Sequence, residues 1–76
     1  MNKERRKALQ SIVDRLTELG EELAAIRDEE QEAYENLPEG IQSSERGEMM
    51  DAAIGYLDEA FDGIESIIEN IESAAE

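Results

Sequence analysis

Carboxylates are the side chains whose number and spacing in this sequence suggest chemistry. The 76-residue chain holds 21 Asp and Glu against seven Lys and Arg, and it contains no histidine and no cysteine. Histidine is the commonest general base, and histidine and cysteine are the commonest ligands of transition metals. The chemistry left to this chain is cation binding by oxygen ligands, acid–base work by paired carboxylates, or recognition by negative charge.

The segment Asp28–Glu39, DEEQEAYENLPE, has the acid spacing of a calcium-binding loop. Its twelve residues carry acids at positions one, three, five and twelve, as an EF-hand loop does. The sixth position, where that loop needs glycine, is Ala33, and the helical pattern of apolar residues continues through it. We therefore expect a solvated acidic helix end, with no metal site and no cofactor.

The sequence offers no recognisable catalytic arrangement. A di-metal site in a helical bundle normally uses inward-facing Glu together with Glu-x-x-His, and histidine is absent. No nucleophile elbow, phosphate loop or dinucleotide fingerprint occurs. We predict a protein that is not an enzyme, with no catalytic residues, and keep a metal-dependent protein or enzyme as the weakest alternative.

A line of acids in the second half of the chain is the feature with functional content. Steps of three and four, interrupted once by seven, connect its members, which places them on one side of a helix. They are Glu48, Asp51, Asp58, Asp62, Glu65, Glu69 and Glu72. Their average axial spacing of about 6 Å is comparable to the charge spacing along a phosphate strand. A basic groove built for nucleic acid could accept such a line; alternatively, the acids only keep the protein in solution.

The stretch Asn36–Glu48, NLPEGIQSSERGE, separates two long segments with helical periodicity. It contains Pro38, the only proline, which disfavours helical geometry in the residue before it. Gly40 permits a left-handed turn. Ser43 or Ser44 can then cap a new helix. The chain is predicted to turn here.

The elements that position the acids are two helices of similar length. We predict one all-α domain over residues 1–76, with a helix at about 3–35, a turn at 36–43 and a helix at about 44–74. Asn2 is the expected cap of the first helix.

Apolar residues follow a heptad pattern in both helices. In the first helix they are Leu9, Ile12, Leu16, Leu19, Leu23 and Ile26. In the second they are Met50, Ala53, Leu57, Ala60, Ile64, Ile67, Ile71 and Ala74. Folding the chain back pairs residues whose numbers sum to about 80, so that Leu19 faces Phe61 and Arg15 faces Glu65. The predicted fold is an antiparallel two-helix hairpin, a helical coiled coil.

A second apolar ridge suggests that hairpins associate. A lone hairpin is expected to leave it partly exposed, although burying each such side chain is worth about 1.5–3 kcal/mol. Its residues, predicted to form the oligomer interface, are Val13, Ile54, Phe61 and Ile68. We predict a two-fold homodimer that forms a four-helix bundle.

The net charge of the chain limits the classes of partner that it is expected to bind. Seven bases and 21 acids give −14, and residues 28–76 alone carry 16 acids and one base, or −15. Such a surface repels nucleic acid and anionic membranes and favours a basic protein. No apolar run reaches the roughly 18 residues of a membrane span, and no secretory signal is visible. The expected location is the cytoplasm.

Three stretches resemble a group of small acidic proteins encoded by phages and prophages of gut and Gram-positive bacteria. They are the start NKERRKALQSIVDRL, the middle RDEEQEAYENLPEGIQSSERGE and the tail AIGYLDEAFDGIESIIENIESA. The resemblance spans nearly the whole chain and is most specific from Tyr34 to Glu48. It implies a phage gene product in the bacterial cytosol, and small acidic phage proteins often inhibit host defence or DNA-binding machinery. It implies no activity and no site residues.

Charge pattern and resemblance together favour an anti-defence inhibitor, such as an anti-CRISPR protein, that mimics nucleic acid. Its partner would be a basic, nucleic-acid-binding host protein bound by the line of acids. The alternative is a structural or assembly module in which apolar residues make the functional contacts.

Overall fold

A computed structural model describes residues 1–76 and shows a chain that is helical apart from its ends and corner. Helix α1 spans Lys3–Glu35, the short helix α2 spans Glu39–Gln42, and helix α3 spans Glu45–Ala75. The limits of the two long helices differ from the predicted ones by at most one residue. No helix has both the length and the apolar composition needed to cross a membrane.

Side-chain caps fix where the long helices begin. The Oδ1 atom of Asn2 accepts a hydrogen bond from the backbone N–H of Arg5 at 2.8 Å. Of the two serines considered for α3, Ser44 is the cap, and its Oγ accepts from the N–H of Gly47 at 3.5 Å. Each cap satisfies an N–H that has no partner within its own helix.

The corner between the long helices is built differently from the predicted turn. Gly40 lies inside α2, and no glycine of the chain has a positive φ, so the expected left-handed turn is wrong. Instead, the carbonyl of Pro38 accepts from the N–H groups of Ile41 and Gln42 at 2.8 and 3.1 Å and starts a short helix. Gly47 is buried against this helix, where a Cβ would overlap the backbone carbonyl of Gln42.

Gln42 also holds the end of α1. Its Nε2 lies 3.2 Å from the carbonyl oxygen of Tyr34, 3.4 Å from that of Glu35 and 3.3 Å from that of Leu37, and donates towards them. The last carbonyls of a helix have no N–H partner one turn further along, so this amide supplies one. Sequence reasoning did not assign this role to Gln42.

Helices α1 and α3 lie side by side and antiparallel. Gly20 lies against Phe61 and Ile64, and the Nε atom of Arg27 binds Asp58 at 2.8 Å. The Cα atoms fill a rod of 58 × 15 × 12 Å.

The register of the hairpin differs from the predicted one by up to about one helical turn. Facing residues have numbers that sum to between 81 and 85 rather than to about 80. Leu19 is 54 % exposed and does not cover Phe61; Gly20 does. Phe61, the bulkiest apolar side chain of α3, packs where the facing helix has no side chain. The pair Arg15–Glu65 is not formed, and all the ion pairs of the hairpin are those of Arg27.

The packed stripe of each helix is therefore rotated from the predicted one. Half of each heptad pattern is right, including Leu9, Leu16 and Leu23 in α1. The other half moves by one residue: Val13, Gly20 and Arg27 turn inward in α1, and Ile54, Phe61 and Ile68 in α3. The residues that this rotation leaves exposed are Ile12, Leu19 and Ile26 of α1 and Ile67 of α3.

This rotation overturns the reasoning behind the predicted oligomer interface. Val13 and Ile54, expected to stay partly exposed in a single hairpin, are its most buried apolar residues, at 6 % and 5 % exposure. Phe61 and Ile68 are half-buried in the same interior. These residues pack within one chain because each helix is rotated by part of a turn from the predicted orientation. The rotation brings the second apolar ridge into the contact in place of the adjacent predicted residues.

Candidate functional site

The predicted line of acids lies along one side of α3, which we call the acidic flank. All seven residues are exposed, and at about 100° per residue they cluster on one side of the packed stripe. They are Glu48, Asp51, Asp58, Asp62, Glu65, Glu69 and Glu72. Position 55, where the line skips a turn, is Gly55, and a Cβ there would meet open space.

Asp58 differs from the other members because α1 engages it. Arg27 approaches it with two nitrogens, Nε at 2.8 Å from Oδ1 and Nη2 at 3.5 Å from Oδ2, and also reaches Asp28 at 3.5 Å. The hydrogen bond that Arg27 donates to Asp58 raises the pKa of Arg27 above its ordinary value, and the negative charges of both aspartates add to the effect. The remaining six acids have no cationic partner in the hairpin. Asp58 is thus the one member of the acidic flank that forms an ion pair with α1.

A groove of about 430 Å³ lies where α1 meets the acidic flank. Its floor is apolar and its rim is acidic. The floor consists of Leu16, Gly20, Phe61, Ile64 and Ile68, and the rim of Thr17, Glu21, Glu65, Glu69 and Glu72. Because Gly20 has no side chain, the ring of Phe61 packs closely on α1 at the floor of the groove.

The groove has the chemistry to bind a basic side chain. Lys and Arg carry an apolar stem and a charged head, so the stem can lie on the floor while the head meets the carboxylates of the rim. A cation over the face of Phe61 gains further attraction. Sequence reasoning missed the groove; the one signal for it was a glycine at a heptad position opposite the only phenylalanine.

The acidic segment Asp28–Glu39 does not form a loop. Helix α1 continues through Glu35, and α2 begins at Glu39, so the acids lie along a helix and across a corner. No three His, Cys, Asp or Glu side chains of the chain are arranged to hold a metal ion.

The opposite side of α3 carries no charge from Met49 to Ala74, and we call it the uncharged flank. Its residues follow heptad steps of three and four. They are Met49, Ala53, Tyr56, Ala60, Gly63, Ile67, Asn70 and Ala74. Several are strongly exposed, with Tyr56 at 73 % and Ile67 at 49 %.

No protein-family model, no curated protein and no solved structure matches this chain.

Proposed function

We propose that this protein is a non-enzymatic inhibitor that covers a basic, nucleic-acid-binding surface of another protein with its acidic flank. The observation that supports this is the row of exposed carboxylates, of which only Asp58 has a cationic partner, and which continues around the rim of the groove. Two helices of the same hairpin contribute to it, since Glu21 comes from α1 and Glu65, Glu69 and Glu72 from α3.

The electrostatics of the flank suit a surface that normally binds phosphates. Its acids span about 36 Å of helix at 1.5 Å per residue. A basic groove that neutralises a nucleic-acid backbone over that length offers several cations to the same row of carboxylates. The groove between α1 and α3 would take one Lys or Arg side chain more deeply than the others.

We place this activity in the cytoplasm of a bacterial host, as part of a phage-type protein directed against a host defence nuclease such as a CRISPR effector. The resemblance to small acidic phage proteins supports this setting. In the same proposal, two hairpins pair into a four-helix bundle. Direct binding of nucleic acid has no place in it, because the net charge is −14.

The experiment is capture of basic proteins from a bacterial lysate on the immobilised full chain, with elution by duplex DNA. We expect captured proteins to be released by DNA and by moderate salt. Reversing Asp62, Glu65 and Glu69 to lysine should abolish capture while circular dichroism shows the helices intact. Asp58 is left unchanged, because it pairs with Arg27.

A matched control separates the flank from net charge alone. Reversing Glu4, Glu18 and Glu32, exposed acids of α1 opposite its packed stripe, makes the same change in net charge. That variant should still capture the same proteins. Equal capture by the flank variant and the natural chain would show the proposal to be wrong.

A second candidate function is a structural or assembly module, and the uncharged flank favours it. In that case apolar contacts carry the function, and the acids only solubilise the chain. Salt distinguishes the two, because apolar contacts weaken little as the ionic strength rises, whereas contacts through the acidic flank weaken steeply.

A further inference from the structure

We infer that a second copy of this chain covers the side of the hairpin opposite the groove. The contacts there would be made by the uncharged flank of α3 and by Ile12, Leu19 and Ile26 of α1. These are different residues from Val13 and Ile54, which the hairpin buries by itself. The inference does not depend on what the acidic flank binds.

Both sets of residues lie on one side of the hairpin. Thr17 and Glu21 of α1 line the groove together with Glu65 and Glu69 of α3, which defines the acidic side. Each residue turns a helix by about 100°, so Leu19 lies on the other side of α1 from Thr17 and Glu21. By the same rotation, Ile67 lies on the other side of α3 from Glu65 and Glu69. Leu19 and Ile67 therefore share the face away from the groove.

This face carries most of the exposed large apolar side chains, and Arg15, Glu22 and Glu29 border it on α1 by the same helical rotation. Its two apolar halves are complementary in size. Helix α1 contributes large side chains, with Leu19 and Ile26 each 54 % exposed. Helix α3 contributes small residues among larger ones, and at Gly63 a Cβ would meet open space. In a two-fold dimer the large residues of one copy can lie over the small residues of the other, and the same pairing repeats by symmetry.

The size of the face matches what a stable dimer needs. The Cα atoms alone extend 58 Å by 15 Å, which is 870 Å² in projection. A standard protein–protein interface buries about 800 Å² on each partner. Val13 and Ile54 are the only large apolar side chains that the hairpin buries by itself, so a second covered face would add much of the missing interior.

Charge favours a second copy over an unrelated helix. The uncharged flank of α3 is the side through which two copies of net charge −14 repel each other least. Arg5 and Arg6, near the start of α1, have no carboxylate partner within their own hairpin, so they are free to pair with acids of the other copy. A dimer built on this face keeps both acidic flanks outward, on opposite sides of the bundle.

Two glycines of α3 provide a matched test. Gly63 lies on the uncharged flank and Gly55 on the acidic side, and a Cβ at either would meet open space. Gly63→Glu and Gly55→Glu therefore add the same charge and the same gain in helix propensity. We expect Gly63→Glu to raise the dimer dissociation constant by about tenfold or more, because a carboxylate would be buried without a partner. Gly55→Glu should leave the dimer intact.

The readout is sedimentation equilibrium of the full chain from micromolar to submillimolar concentration, with circular dichroism to verify the fold. Added salt should leave the dimer unchanged or tighter, since it screens the repulsion between copies. Three results would each overturn the inference: a natural chain that is monomeric throughout, a Gly63→Glu variant that dimerises normally, or equal disruption by both variants.

Discussion

The two flanks of α3 differ more than any two surfaces of the molecule, although the same helix carries them. One presents seven exposed acids, and the other presents none between Met49 and Ala74. The packed stripe lies between them and faces α1. A coat of charge that served only solubility would be spread over both flanks, because either side of a surface helix meets water. This separation is the reason that we propose two surfaces with two different partners.

The comparison also shows how each flank relates to stability. On the acidic flank, neighbouring like charges oppose the helix, and only Asp58 is relieved by a cation, Arg27. On the uncharged flank, the exposed Tyr56 and Ile67 contribute little until something covers them. Apart from Asp58, the acids of the flank have no ionic partner on α1, whereas Ile54 is buried in the interior of the hairpin.

Replacing isoleucine by alanine should change the free energy of unfolding most in the interior and little on the uncharged flank. Ile54→Ala should lower the free energy of unfolding by about 2–5 kcal/mol, because it empties a buried site. Ile67→Ala should change that of the isolated hairpin by less than about 0.5 kcal/mol, because the side chain is half exposed. Urea denaturation at low protein concentration measures both.

The same pair of variants tests which apolar stripe of α3 packs against α1. If Ile67→Ala costs as much as Ile54→Ala at a concentration where the chain is monomeric, the packed stripe is the one predicted from the heptads, and the uncharged flank is part of the interior. A cost at Ile67 that emerges only as the concentration rises would mark a contact between copies.

Salt should have the next largest effect, and it acts through the acidic flank. With Glu76 included, the flank holds six neighbouring like-charge pairs, so screening them should raise the free energy of unfolding by about 1–3 kcal/mol. Urea denaturation at low and high sodium chloride measures this. The variant with lysine at positions 62, 65 and 69 should respond much less, and an equal response would place the repulsion elsewhere in the chain.

The smallest expected effect concerns the groove beside the acidic flank. Gly20→Ala should raise the free energy of unfolding by up to about 1 kcal/mol, because alanine is the better helix former. The new Cβ would lie 3.6 Å from Phe61 and 3.7 Å from Ile64, which is ordinary van der Waals contact. Thermal denaturation followed by circular dichroism provides the measurement.

Gly55→Ala is the control for this last prediction, since it gives the same gain in helix propensity without filling the groove. If a basic side chain of the partner enters the groove, Gly20→Ala should also weaken partner binding, while Gly55→Ala should not. Weakened binding by both variants would argue against a role for the groove.

The sequence predicts the helices well and their rotation poorly, for identifiable reasons. Asn2, Ser44 and Pro38 act through their immediate neighbours, so local chemistry places the helix ends within one residue. The apolar pattern is wider than a two-helix contact requires, and two neighbouring stripes fit it equally well. Large side chains favoured Leu19 and Ile26, whereas the hairpin uses Gly20, which admits the ring of Phe61.

The candidate site likewise combines a feature that the sequence predicts with one that depends on how α1 packs on α3. The acids of α3 were predictable as a line because helical periodicity alone places them on one side. The groove was not, because it depends on the register between α1 and α3, which the pair Arg27–Asp58 helps to fix. The uncharged flank is visible in the sequence as a second heptad series, but its exposure follows only from the rotation of the packed stripe.

Gly47, in the first turn of α3, lies in close contact with the carbonyl of Gln42 at the end of α2. In Gly47→Ala the new methyl group would overlap this carbonyl, so we expect the first turn of α3 to move away from α2. Because α3 is one continuous helix, a tilt at its first turn displaces its far end the most. We therefore expect the contacts far from the corner to be lost first, namely those of Phe61 with Gly20 and of Asp58 with Arg27. The absence of a Cβ at position 47 thus affects how α1 and α3 are aligned several turns away.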